Sequence, residues 1–475
     1  MLRISSKIII PVTTILLFTI VVAWWLFYNN TSDLTPSLPG APGSEEGNTL
    51  QNEDVKIGEF FKCSNKSYEP LLETWPRFRG ENFDNISTSK IKLTSNLSNA
   101  IKPLWSIRLG EGHAGAAIWK GMVYVLDYDE EIRADVLKCL NLKTGDEMWR
   151  RWYKVNIKRN HGMSRTVPAV TEKYIITIGP MCHAMCLDRE TGNLLWGVDI
   201  SKEYNSEVPL WYTGQCPIIY NNVAVIATGG SALMVGYDCA TGKKLWETPN
   251  PDNWKMSHSS IMPFAFENTK MFVYAAIGGI CGIAAEGADR GKVLWKTKEW
   301  NTTVIAPSAL CLPDGKIYVT AGYGAGAIMF QLTKENNTFK IKVKDKYKPS
   351  EGLACEQQTP IYFNGHLFGI MPKDGGSARN QFVCVSPDNT RKFVWTSGKT
   401  ERFGLGPYII ADGKFYMLND DGTLFVIKAS TQSYKELSRL KIIDGHDAWA
   451  PLAVADGYMV LRDATNMVCI KILAL

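Results

Sequence analysis

Three hydrophobic patterns follow one another along the chain. From Ile8 to Tyr28 the sequence IIIPVTTILLFTIVVAWWLFY carries no charge. From Asn29 to about Ser67 it turns to Asn, Ser, Pro, Gly and Glu, as in TSDLTPSLPGAPGSEEGNTLQNE. Beyond Trp75, short runs of alternating apolar and polar residues, broken by Gly, Asn or Asp, continue to the end.

The first pattern predicts a helix. At about 1.5 Å rise per residue it spans roughly 30 Å, the thickness of a bilayer core. Arg3 and Lys7 precede it and no positive residue directly follows, which places the amino terminus in the cytoplasm. The run ends in Trp24, Trp25, Phe27 and Tyr28 rather than in a small-residue cleavage site, and no cysteine immediately follows for lipidation. Residues 1–29 therefore read as a single-pass inner-membrane signal anchor. The second pattern, residues 30–69, cannot bury enough apolar surface to fold alone and reads as a disordered linker. Residues 70–475 would then lie in the periplasm.

The third pattern repeats. ETGNLLW and ATGKKLW, ending at Trp196 and Trp246, are joined by KTGDEMW at Trp149, DRGKVLW at Trp295 and NTRKFVW at Trp395. A phosphate loop would need GxxxxGK[ST], which neither Gly-rich copy supplies. About ten residues before each Trp stands a small residue: Cys139, Cys186, Gly236, Ala285 and Cys384. A second marker precedes each copy, at Pro168, Pro217, Pro263, Pro307, Pro360, Pro407 and Pro451, with Ala116 in the same place in an eighth. Each unit reads as four antiparallel strands with a period of about 40 to 50 residues, which is the signature of a β-propeller blade. The last unit lacks a Trp strand and the strand at Trp105 lacks a unit, so Trp105 is expected to close the ring.

The fold predicted is all-β, an eight-bladed β-propeller closed by an N-terminal strand and preceded by one transmembrane helix. Trp105, Trp149, Trp196, Trp246, Trp295 and Trp395 are expected to pack blade on blade.

Composition changes little. Fifty-two Lys and Arg against 47 Asp and Glu leave a net charge of +5, with no basic stripe that would argue for nucleic acid. The alternating lysines of KIKVKDKYK, Lys340–Lys348, fit a solvated edge strand. Eleven cysteines include no CxxC, and those that align between repeats read as packing thiols in separate blades. No metal site is expected.

Chemistry is sought where the blades converge. First strands line the channel, so residues just before each proline marker meet at one mouth. These are His113, His161 and Arg165, Trp211 and Gln215, His258, Glu356 and Gln357, Arg402, and His446, Asp447 and Trp449. A polar, aromatic ring of this kind orients a small ligand or a peptide loop.

The TGxxLW repeats, together with WPRFRGENFDNIS from Trp75, resemble the quinoprotein-type propeller superfamily. That superfamily includes PQQ-dependent alcohol dehydrogenases and the propeller lipoprotein of the outer-membrane β-barrel assembly machinery. The resemblance covers roughly residues 75–475 and implies either of two functions. One is a non-catalytic binding or assembly scaffold for proteins or peptides. The alternative is a PQQ-dependent alcohol or sugar dehydrogenase with quinone and Ca²⁺ at the mouth. Many such dehydrogenases carry a vicinal Cys-Cys pair, which is absent here, and the mouth carboxylates named are only Glu356 and Asp447. The scaffold reading, without a cofactor, is therefore preferred.

Overall fold

In the computed structural model, residues 6–27, 55–64, 66–98 and 100–474 are described. A helix α1 spans Ser6–Phe27, over the predicted anchor. Among the described residues no helix is long and apolar enough to cross a membrane, so membrane crossing rests on the sequence. Most of the predicted linker, residues 30–54 and 65, lies outside the described residues, as do residues 1–5, 28 and 29 of the predicted anchor.

The rest forms eight sheets arranged as eight blades. The second blade shows the plan. Its strands Ala169–Val170, Tyr174–Ile178, His183–Asp188 and Leu194–Asp199 run antiparallel from the inside outward. β-Branched and aromatic residues fill these short runs and Asn, Asp or Gly turns part them, as the alternation predicted. Seven apolar clusters form the core. Six join consecutive blades, and the seventh joins the last two blades to the first.

Ring closure is as predicted. Trp105–Arg108 pairs with Asn466–Lys471 as the outer strand of the eighth blade, with Trp105 opposite Cys469. The same cross-strand pair recurs as Cys139 with Trp149, Cys186 with Trp196, Gly236 with Trp246 and Cys384 with Trp395. In the fourth blade the partner of Trp295 is Gly282 and not Ala285, because a longer turn separates the strands there. The small residue makes room for the indole, and in all five of these last pairs a β-bulge follows it.

The recurring TG has a matching cause. A Cβ on Gly145 would stand 2.6 Å from the Trp105 indole, and one on Gly242 would stand 2.7 Å from Trp196. Both glycines have φ near +70°, a conformation other residues adopt at a cost. The first four blades thus each present a bare turn to the indole of the blade before it, Gly192 meeting Trp149 and Gly291 meeting Trp246 in the same way. Trp105 Nε1 donates to Leu142 O at 2.8 Å, Trp196 Nε1 to Cys239 O at 3.0 Å and Trp395 Nε1 to Ser430 O at 3.0 Å. Trp246 departs from this, its Nε1 being buried without a partner, and Trp295 Nε1 meets Met271 Sδ in its own blade.

Two further strands extend the first sheet to six. Phe60–Cys63 adds to its outer edge and Thr74–Trp75 to its inner edge. The ordered domain therefore begins upstream of residue 70. All eleven cysteines are free, and all but Cys63 and Cys311 are buried.

The segment after Trp75 crosses the channel. Pro76 O accepts from Val170 N of the second blade, and Phe83 packs on the core between the third and fourth. Arg79 reaches Thr359 O and Pro360 O before the sixth blade, and Ile86 bridges Ile410 of the seventh. WPRFRGENFDNIS is a plug.

Candidate binding site at the open mouth of the channel

The plug docks on the inner strands, whereas the connections that precede those strands pass over the opposite end and leave it open. There they enclose a cavity of about 620 Å³ with Phe78 of the plug in its wall. That volume falls within the roughly 300–1,000 Å³ usual for ligand sites. Most of the predicted residues meet in it. His113, His161, Arg165, Trp211 and His258 line the side of the first four blades. Glu356, Gln357, His446, Asp447 and Trp449 line the side of the last three.

Two predicted residues do not line the cavity. Gln215 is fully buried, its Nε2 donating to Ala227 O and its Oε1 accepting from Ala227 N, so it ties a connection to its own blade. Arg402 donates to Lys399 O and Arg379 O beside the mouth. Conversely, Glu111, Arg159 and Tyr323 line the cavity unpredicted. Tyr323 sits in a turn between the second and third strands of the fifth blade, a turn that also faces this mouth. Its neighbours Gly322 and Gly324 were the available signal.

Aromatic stacking organises the wall. The His113 ring lies on Trp449 with centroids 3.5 Å apart. Trp211 stacks between His258 at 6.2 Å and Tyr323 at 5.9 Å. Trp211 and Tyr212 both have positive φ, 63° and 71°, a strained backbone for two bulky residues in sequence. Such strain costs of order 1–3 kcal/mol per residue and gathers at functional sites.

The charges are unevenly satisfied. Arg165 donates through Nε to Trp211 O at 2.7 Å and through Nη2 to Asn160 O, His161 O and Gly162 O. Its Nη1 has no partner among the described residues, and no carboxylate pairs with it. Burial lowers its pKa to about 10. Burial, reinforced by the Arg165 charge, lowers His258 to about 4, and burial with Arg165 and Arg462 lowers His113 to about 2. Both imidazoles are neutral at physiological pH. Their Nδ1 atoms, and Trp211 Nε1, are buried without a hydrogen-bond partner. Across the cavity, Glu356 is buried and its pKa is raised, first by burial.

Residues 133–381, more than half of the chain, match the family model described as outer membrane protein assembly factor BamB. The chain belongs to this family. Among solved structures, BamB from Moraxella catarrhalis is similar at 13% identity and a TM-score of 0.51, covering 78% of this chain and 99% of its own. A europium-containing methanol dehydrogenase is similar at 11% identity and a TM-score of 0.59, covering 84% of this chain and 98% of its own. The quinohemoprotein alcohol dehydrogenase from Comamonas testosteroni aligns at 12% identity and a TM-score of 0.56, over 84% of this chain and 80% of its own. No curated protein sequence matches the chain. At such identities the structural likeness establishes the propeller fold and leaves activity open. Membership of the BamB family likewise carries no residue roles to this mouth.

Proposed function

We propose that this BamB-family protein is a non-catalytic binding scaffold, held at the inner membrane by its N-terminal helix, with the propeller in the periplasm and a protein or peptide partner received at the open mouth. The observation that carries this reading is the mouth itself: one end of the channel is plugged, while the other presents a large cavity walled by stacked aromatics and by polar groups without partners. Buried polar atoms left unpaired in a native fold mark a place completed by something else. The family's description as an assembly factor supports a protein partner.

The dehydrogenase alternative fits the same mouth less well. The carboxylates on the cavity side of Glu356 are few, and no group of three or more His, Cys, Asp or Glu that could hold a metal occurs among the described residues. Calcium commonly takes six to eight oxygens, several of them carboxylate. No two cysteines are adjacent in the sequence to cover a quinone.

The test is a photo-crosslinking residue in place of Tyr323 in the full-length protein in its native membrane. A discrete crosslinked polypeptide is expected, absent when the same residue replaces Lys392 on an outer strand. Crosslinking only to lipid, or none, would refute the partner. Protease added to spheroplasts should remove the propeller, and its protection would refute the proposed topology.

A further inference from the structure

The charged side chains lining the open cavity divide into matched and unmatched. Glu111 holds Arg159 at 2.6 Å, and Asp447 lies 3.2 Å from His446. Arg165 and Glu356 line the same cavity, yet neither forms an ion pair with any described residue. Glu356 also accepts no hydrogen bond among the described residues, and the opposite charge of Lys373 acts on it without pairing. Tyr323, stacked on Trp211, lies within electrostatic reach of both Arg165 and Glu356. Behind Glu356 a side cavity of about 170 Å³ is lined by Asp420 and Lys373. Asp420 Oδ1 is buried and unpartnered.

The cavity thus has a cationic wall and an anionic wall with aromatic faces between them. His113, only 4% exposed, adds an unpartnered Nδ1. A buried charge without a counter-charge is costly, and a ligand that matches both walls relieves two such costs at once. A ligand of one sign relieves one and leaves the other facing it, which favours complementarity at both ends over net charge.

We infer that the open mouth binds a zwitterion of the amino-acid or short-peptide class, its carboxylate on Arg165, its ammonium on Glu356 and its apolar body against Trp211 and the stacked pair His113 and Trp449. This rests on the mouth being a binding site, and it identifies the chemistry recognised there. An N–H edge of Arg165 offers the carboxylate a charge-assisted hydrogen bond, and the indole and imidazole faces accept the flat side of a peptide or aromatic side chain.

The test is calorimetric titration of the full-length protein in detergent with the dipeptide alanyl-phenylalanine. Four forms are compared: both termini free, N-acetylated, C-amidated and doubly blocked. The free form is expected to bind saturably, with each single block weakening it at least tenfold. In Glu356→Gln, N-acetylation should no longer matter while amidation still does. Arg165→Gln should show the reverse, but because Arg165 also holds four carbonyls it is read only if its melting profile matches the parent. The Glu356→Gln arm stands without it. Absence of saturable binding, equal affinity for blocked and free forms, or sensitivity to the carboxylate alone overturns the inference. A partner crosslinked at position 323 with no dipeptide binding refutes this inference and leaves the scaffold intact. Dipeptide binding with no partner refutes the protein-scaffold reading and leaves this one intact.

Discussion

Arg79 and Arg165 are the same group in two places, one in the plug and one in the wall of the open cavity. Burial lowers both to a pKa of about 10. Arg79, in the plug, directs Nε to Phe83 O at 2.8 Å, Nη1 to Thr359 O at 3.1 Å and Nη2 to Pro360 O at 3.2 Å. Arg165 fixes the strained connection that carries Trp211 and leaves Nη1 and its charge unmatched. The first arginine completes a structure across nearly three hundred residues of chain. The second completes a wall and leaves a donor facing the cavity. Burial alone does not separate a structural arginine from a binding one; what separates them is whether the donors are used up within the fold.

The largest expected effect tests the plug. Arg79→Ala strands carbonyls before the sixth blade and should cost about 3 kcal/mol or more in urea unfolding. A midpoint within error of the parent would show that the plug is peripheral and the comparison mistaken. Next, Trp196→Ala removes an indole packed on the turn of the following blade and should cost about 2–4 kcal/mol, leaving the mouth chemically intact. Unchanged melting would contradict the blade-to-blade assignment.

The third prediction concerns acid. His113 is held near 2 in the fold and is near 6.5 when unfolded, so the unfolded chain takes up a proton below pH 6.5 that the folded chain refuses. The stability due to its neutral form is fully present above pH 6.5 and falls by about 1.4 kcal/mol per pH unit on the way down. Asp135, raised by burial to about 6, has the opposite sign, its carboxylate being relieved as it takes a proton between about 6 and 4. Comparing parent with His113→Gln cancels that contribution, and the variant should gain on the parent by about 1.4 kcal/mol per pH unit on going from pH 6.5 down to 4.5. Parallel curves would mean that His113 is not buried neutral.

The smallest effect is the sharpest contrast with Arg79. Glu356→Gln removes a buried charge that the fold does not use, so stability should be unchanged or rise by up to about 1 kcal/mol. A loss of more than that would mean Glu356 is structural and the cavity lacks an unmatched anionic wall.

The blades were legible because one packing problem is solved repeatedly. TG, LW and the small residue opposite Trp each mark a steric need, and the single misplacement, Ala285 for Gly282, arose where a longer turn broke the spacing. Most of the mouth was legible for a related reason, since the proline markers fix where each connection meets the channel. What the repeat could not show was direction. Gln215 precedes its proline like the others but turns into its own blade to satisfy Ala227. Tyr323 arrives from a different turn, and the plug is not part of the repeat at all. Its contacts with the second, sixth and seventh blades depend on tertiary structure that no local pattern encodes.

Ring closure also sets an order of events during synthesis. Trp105–Arg108 has no partner until Asn466–Lys471 is available, and Leu72 N and Glu73 N bond Asp456 across 384 and 383 residues. Such distant pairing makes folding slow and leaves strand edges bare in the interval. A chain emerging from its amino terminus therefore carries seven blades' worth of open arc before its seam can close. Any helper that shields this arc acts before the eighth blade arrives, and a chain cut short there is left as an adhesive fragment instead of a smaller ring.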